Sequence, residues 1–140
     1  MVLITNSSRD NMNFLELQKK YSEYIGSEYA VSVNTGTAAL HLALESLELP
    51  AGSEVIVPEF TMIASAWAVK YAGLEPVFVD CDDNMLLDIN KLKQAITPRT
   101  KVIMPVHIYG RVCNMTEIMN LAKKHDLRVI EDAAEAQGAM

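Results

Sequence analysis

The sequence predicts an α/β fold: a mostly parallel sheet with alternating helices. Three observations predict it. Short apolar runs alternate strictly with helix-period segments along the 140 residues. The apolar runs are continuous rather than broken by polar residues, as strands buried on both faces are. Gly26, Pro58 and Gly73 stand where the period changes, and such residues end regular elements. Right-handed crossovers then gather the carboxyl ends of the strands on one edge of the sheet.

Residues 1–12 read as an irregular lead-in. A helix is expected from Phe14 to Ile25, with apolar residues at 14, 15, 17, 21, 24 and 25 and Gly26 as its stop. Tyr29 to Val33 reads as a short strand. Thr37 to Leu47 is rich in Ala and Leu and reads as a helix. Glu54 to Val57 is a strand ended by Pro58, and Met62 to Tyr71 a helix closed by Gly73. The strand Pro76 to Val79 runs into the acidic turn Asp80-Cys81-Asp82-Asp83-Asn84. Asn90 to Ile96 is a short helix, with Asn90 or Asp88 as its candidate cap. Lys101 to Val106 is a strand, Asn114 to His125 a helix and Leu127 to Ile130 a strand. The loops after Val33, Val57, Val79, Val106 and Ile130 therefore meet on one edge. No repeat, low-complexity segment or linker divides residues 13–140.

Composition narrows the function. Half the residues are hydrophobic and 21% are charged, a soluble globular balance. A net charge of −6 with dispersed lysines and arginines argues against nucleic acid or an anionic membrane as partner. No stretch approaches the ~20 apolar residues of a membrane helix. The start lacks the charged n-region and apolar core of a secretion signal, so a cytoplasmic setting is expected. Cys81 and Cys113 match no CxxC spacing and are expected to be reduced and structural.

Four segments on the predicted edge carry candidate chemistry. Asn34-Thr35-Gly36-Thr37-Ala38 joins a strand to a helix, where free N–H groups and the helix dipole suit a phosphate. The same residues also read as an ordinary capped turn. Neither GxxxxGK[ST] nor GxGxxG occurs, which counts against NTPase and dinucleotide sites. Phe60, Thr61 and Met62 could line a pocket; the alternative is that Phe60 and Met62 belong to the core. His107 follows an apolar strand and is either a hydrogen-bonded structural residue or a catalyst. Asp80 to Asp83 reads as a solvated turn without EF-hand spacing, and no metal site is expected. Finally, Glu131-Asp132 places carboxylates at the carboxyl end of the last strand, where open α/β sheets bind ligands. Strand alternation turns Glu131 away from Asp132.

Taken together, a phosphate site, a residue to cover a ring and a buried carboxylate are the parts of a pyridoxal phosphate (PLP) site. The carboxylate pairs with the pyridine nitrogen and keeps it protonated, which makes the ring an electron sink.

Five segments carry a family resemblance: NTGTAALHLAL (34–44), EVIVPEFTMIASAWAV (54–69), PVFVD (76–80), ITPRTKVIMPVHIYG (96–110) and VIEDAAEAQGA (129–139). In order and spacing they resemble the DegT/DnrJ/EryC1/StrS sugar aminotransferases, from about Phe14 onward. The resemblance implies the large domain of a fold-type-I PLP transferase, with residues 13–140 as its amino-terminal portion. It implies PLP as cofactor. Gly36, Thr37 and Ala38 match the loop that holds the PLP phosphate, and Asp132 the partner of the pyridine nitrogen. Glu135 stands near the PLP 3-hydroxyl, where the family has Gln, Glu or His. Met62 takes the place of an aromatic residue that stacks on the ring. This is a departure, since a thioether covers a ring less specifically.

The implied reaction moves an amino group, with glutamate as donor, to a keto sugar on a nucleoside diphosphate, in an enzyme that is a homodimer. The family's Schiff-base lysine lies beyond the VIEDAAEAQGA motif, and none of the eight lysines here matches it. The resemblance therefore implies no catalytic residue within this chain, a truncated large domain, and no transaminase activity of the 140 residues alone. Two alternatives stand beside it. One is a non-catalytic fragment of a split or degraded gene, inert or associated with a partner chain. The other is a PLP-dependent sugar dehydratase of the same family.

Overall fold

The computed structural model of the chain describes residues 2–5 and 13–139. The elements run β1 (Val2–Thr5), α1 (Phe14–Ile25), β2 (Ala30–Val33), α2 (Gly36–Glu45), β3 (Glu54–Pro58), α3 (Ile63–Tyr71), β4 (Glu75–Val79), α4 (Ile89–Ala95), β5 (Thr100–Ile103), α5 (Met115–His125) and β6 (Arg128–Val129). Every ladder between them is parallel. The larger sheet has the order β4-β3-β5-β6.

β3 organises this sheet. All five of its residues are buried, and period-2 alternation sends them to two different cores. Val55 and Val57 join Leu40, Leu44, Ala68, Val69 and Met104, beneath α2 and α3. Ile56 faces the other way and joins Leu92, Ile103, Ile118 and Leu121, beneath α4 and α5. Helices thus cover both faces, as the continuous apolar strands require. Each fully buried Val, Leu or Ile contributes roughly 1.5–3 kcal/mol of burial, so the two cores dominate stability.

Side-chain caps fix the helix starts. Asn13, Thr35, Asp88 and Asn114 each accept a hydrogen bond from a first-turn N–H, which satisfies a donor the helix leaves free. Asp88 rather than Asn90 caps α4. α3 begins at Met62 without a side-chain cap.

Two expectations are corrected. The lead-in is not wholly irregular, because residues 2–5 form β1 and pair with β2 through main-chain bonds that need no sequence pattern; the remaining lead-in lies outside the described residues. Among the described residues, β2 pairs with β1 and not with the larger sheet. The last strand is also shorter than Leu127–Ile130. Its line continues as a single parallel bridge between Val106 and Asp132.

At the amino end of β3, away from the strand carboxyl ends, one carboxylate is buried. Glu54 is 4% exposed and accepts from Thr97 Oγ1 at 2.5 Å, Thr100 Oγ1 at 3.3 Å and Arg99 Nη2 at 2.5 Å. These partners, the Thr97 hydroxyl first, hold its pKa below the ordinary 4.5. A buried carboxylate so held ties the β5 entry to β3. Glu54→Ala leaves the buried Thr100 hydroxyl without its acceptor and is expected to destabilise the chain by roughly 1–3 kcal/mol in urea unfolding. Because the folded pKa is depressed, this stabilisation is complete above about pH 4.5 and lost as pH falls through the folded value. The gap between wild type and variant should therefore narrow on acidification; a constant gap contradicts the assignment.

Candidate active site

At the carboxyl edge of the sheet, four segments border a cavity of about 220 Å³. The start of α2 contributes Gly36, Thr37 and Leu40, and the start of α3 contributes Thr61, Met62 and Ala64. The loops after β5 and β6 contribute Val106, His107 and Ile108, and Asp132, Ala134 and Glu135. Of the sequence candidates, Gly36, Thr37, Met62, Asp132 and Glu135 thus face one space. Ala38 does not line it, and its N–H is taken by Thr35 Oγ1 at 3.1 Å. Among the described residues, that bond leaves the N–H groups of Gly36 and Thr37 as the free donors of the α2 start. A Cβ added at Gly36 would meet no atom within 4 Å, so the ground beside this backbone is open.

Asp132 is set by its main chain and then by its carboxylate. Its N–H donates to the Pro105 carbonyl, and its own carbonyl accepts from the His107 N–H, both at 3.0 Å. The carboxylate is bound at both oxygens. Oδ1 accepts from the Ala134 N–H at 3.2 Å. Oδ2 accepts from Ser65 Oγ at 3.2 Å, and Thr61 Oγ1 lies 2.9 Å from that same Ser65 oxygen.

Glu131 parts from Asp132 and joins His107, with Nε2 3.1 Å from Oε2. His107 is 3% exposed. The Cys113 side chain and the Glu131 carboxylate raise its pKa to about 9, and His107 in turn lowers that of Glu131. The Cys113 N–H points at Nδ1 from 3.4 Å, a contact that only a neutral ring accepts. It is longer and weaker than the 3.1 Å pair with Glu131, which favours the charged ring. His107 is thereby a buried hydrogen-bonded residue that staples the two loops of the site together.

Glu135 accepts from the Tyr109 N–H at 2.8 Å. Tyr109 has φ of 52° and Gly110 φ of 77°. A tyrosine in this region costs on the order of 1–3 kcal/mol, and the charged acceptor offsets part of that. Tyr109 is 69% exposed and stands edge-on to Phe60, ring centroids 6.3 Å apart. Phe60 at 43% and Met62 at 67% exposure are not core residues. The acidic turn after β4 is tied internally: Asp82 Oδ1 accepts from the Asn84 and Leu86 N–H groups, and Asp80 pairs with Lys91.

Among the described residues, no lysine lines the cavity. Sequence reasoning assigns no role to Ser65. Its only available signal is a hydroxyl among the alanines of Ala64-Ser65-Ala66.

The residues fit a phosphorylated pyridinium. Two free N–H donors at a helix start suit the phosphate. The carboxylate, oriented at both oxygens, suits a ring N–H, and Met62 and Ala134 offer apolar surface for the ring.

Comparison with known proteins agrees. The profile of the DegT/DnrJ/EryC1/StrS aminotransferase family matches residues 4–140. GDP-perosamine synthase of Caulobacter vibrioides is 52% identical over 126 residues, 89% of this chain and 34% of that protein. The chain thus spans about a third of the length of the curated relatives it matches. Streptomyces venezuelae DesV superposes with a TM-score of 0.88 at 40% identity, over 94% of this chain and 36% of that one. NtdA of Bacillus subtilis, solved with its cofactor pyridoxamine phosphate (PMP), superposes with a TM-score of 0.86 at 37% identity, over 91% and 30% of the two chains.

The His107 staple has a pH signature. A raised folded pKa gives stability that is complete below the ring's ordinary 6.5 and lost as pH rises through about 9. In urea unfolding across that range, wild type should lose stability relative to His107→Gln. A difference that does not change with pH contradicts a charged His107.

Proposed function

The chain belongs to the DegT/DnrJ/EryC1/StrS aminotransferase family, and we propose that it forms the cofactor-holding part of a PLP-dependent aminotransferase of nucleotide-linked keto sugars. One observation carries this reading: Gly36, Thr37 and Asp132, from distant parts of the sequence, face one cavity with Met62 and Glu135. Relatives named for GDP-perosamine support the sugar nucleotide as substrate class. Glutamate is the amino donor in this reading.

Bound in the cavity, the cofactor supplies an electron sink for bond breaking at the carbon that bears the transferred nitrogen. The residues hold it for that purpose. The Gly36 and Thr37 N–H groups and the Thr37 hydroxyl bind the phosphate at the positive end of α2. Asp132 accepts the ring N–H and keeps that nitrogen protonated. Met62 covers a ring face through its polarisable sulfur. Glu135 would meet the ring hydroxyl from the cavity wall, and its second task is to hold the Tyr109 main chain. Proton transfer to and from carbon needs a base, and no lysine of these residues reaches the cavity. That base comes from outside residues 1–140 in this reading.

Association with a second copy is part of the same reading. Ile63, Trp67 and Tyr71 recur every fourth residue on α3 and are 54%, 50% and 59% exposed, an apolar stripe suited to an interface.

PMP is the appropriate probe, because it needs no covalent lysine. Fluorescence titration of the chain with PMP should show saturable binding. Asp132→Ala should weaken it by roughly ten- to a hundredfold, the worth of a hydrogen bond to a charged group. Absence of binding to wild type, or equal binding by the variant, contradicts the reading. In the same titration Met62→Tyr should tighten binding by about two- to tenfold, the gain of an aromatic contact. An unchanged or weaker affinity removes Met62 from the ring face.

A further inference from the structure

We propose that Ser65, backed by Thr61, is a positioning residue that holds the Asp132 carboxylate in line for a ring N–H; the proposal rests on the reading of the cavity as a PLP site. Ser65 lies in α3 and is 0% exposed. Its neighbours in the helix are Ala64, Ala66 and Ala68. A serine there gives the helix less than alanine would, and its buried hydroxyl costs free energy unless it is bonded. Ser65 stands in the first turn of α3, where a serine hydroxyl commonly bonds nearby backbone. Ser65 instead reaches across 67 positions of sequence to Asp132 Oδ2 at 3.2 Å.

The direction of the chain of hydroxyls follows from proton count. Ser65 has one hydroxyl proton and two oxygen neighbours, Asp132 Oδ2 at 3.2 Å and Thr61 Oγ1 at 2.9 Å. An ionised carboxylate only accepts. The Ser65 proton therefore goes to Asp132, and Thr61 donates to Ser65 at 2.9 Å in preference to the Met62 carbonyl at 3.4 Å. Each donation polarises the next. Thr61 itself borders the cavity, so the relay runs from the cavity wall through the buried serine to the carboxylate.

The geometry also divides the work at Asp132. The Ala134 N–H holds Oδ1 and arises from the same loop, so it moves with the loop. Ser65 holds Oδ2 from a different element, and α3 is packed on the core through the buried Ala66, Ala68 and Val69. Ser65 thus fixes the carboxylate against a rigid reference. Removing it leaves Asp132 in place but free to rotate, which weakens its hold on a protonated ring nitrogen and nothing else in the cavity.

Two ligands test this. PMP carries the ring nitrogen; its 1-deaza analogue replaces that nitrogen with carbon and gives Asp132 nothing to bind. Ser65→Ala should weaken PMP binding about tenfold and change binding of the deaza analogue less than twofold. In the Asp132→Ala background, Ser65→Ala should change PMP affinity less than twofold, since the serine acts through that carboxylate. Thr61→Val, a change at the cavity wall that conserves shape, should weaken PMP about two- to threefold and spare the deaza analogue. Equal weakening of both ligands, an undiminished effect without Asp132, or no effect of Ser65→Ala and Thr61→Val while Asp132→Ala remains severe overturns this proposal alone. Failure of wild type to bind PMP overturns it together with the reading of the site.

Discussion

Two main-chain hydrogen bonds at the end of the last strand support the rest of the site. The Asp132 N–H meets the Pro105 carbonyl, and the His107 N–H meets the Asp132 carbonyl. β6 itself spans only Arg128–Val129, too little to aim a side chain beyond its end. The added bridge at Val106 and Asp132 carries the strand direction past Ile130. Through it the buried β5 residues fix where the carboxylate stands. Once Asp132 is fixed, the positions of Ala134 and Glu135 follow, and so does the reach of Ser65.

Side chains then lock what the main chain has placed. His107 joins Glu131 on one side of the bridge, while Ser65 joins Asp132 on the other. The two adjacent carboxylates are separated in role by strand alternation: one is spent on structure and the other is oriented toward the cavity. Glu135 completes the loop by holding Tyr109 in a left-handed conformation. Glu131, Asp132 and Glu135 are thereby each given a defined neighbour. In the proposed reading, a cofactor with a negative phosphate and a positive ring would meet donors at α2 and an acceptor at Asp132.

Much of the fold was legible in the sequence because burial on both faces leaves a plain signature. The runs around Val55–Val57 and Val102–Ile103 are apolar without interruption and became the inner strands. Ends were less legible. β6 shrank because its pairing depends on β5 rather than on its own residues, and β1 arose from main-chain pairing in a segment without period. Of the residues that face the cavity, Gly36, Thr37, Met62, Asp132 and Glu135 were readable through motif order. Ala38 belongs to the same motif, yet its N–H serves the Thr35 cap. Ser65 was not readable, since its partner is 67 residues away and nothing local distinguishes it from a helix surface serine. Tyr109 acts through its main chain, which composition does not reveal.

The central claim is that Asp132 is held to accept a proton-bearing ring nitrogen. The most direct measurement is the nitrogen-15 NMR shift of ring-labelled PMP bound to the chain, followed through pH. The account predicts a ring nitrogen that stays protonated above the pH at which free PMP loses that proton, and loses this protection in Asp132→Ala. A bound ring that titrates like the free ligand, or one equally protected without Asp132, would contradict it.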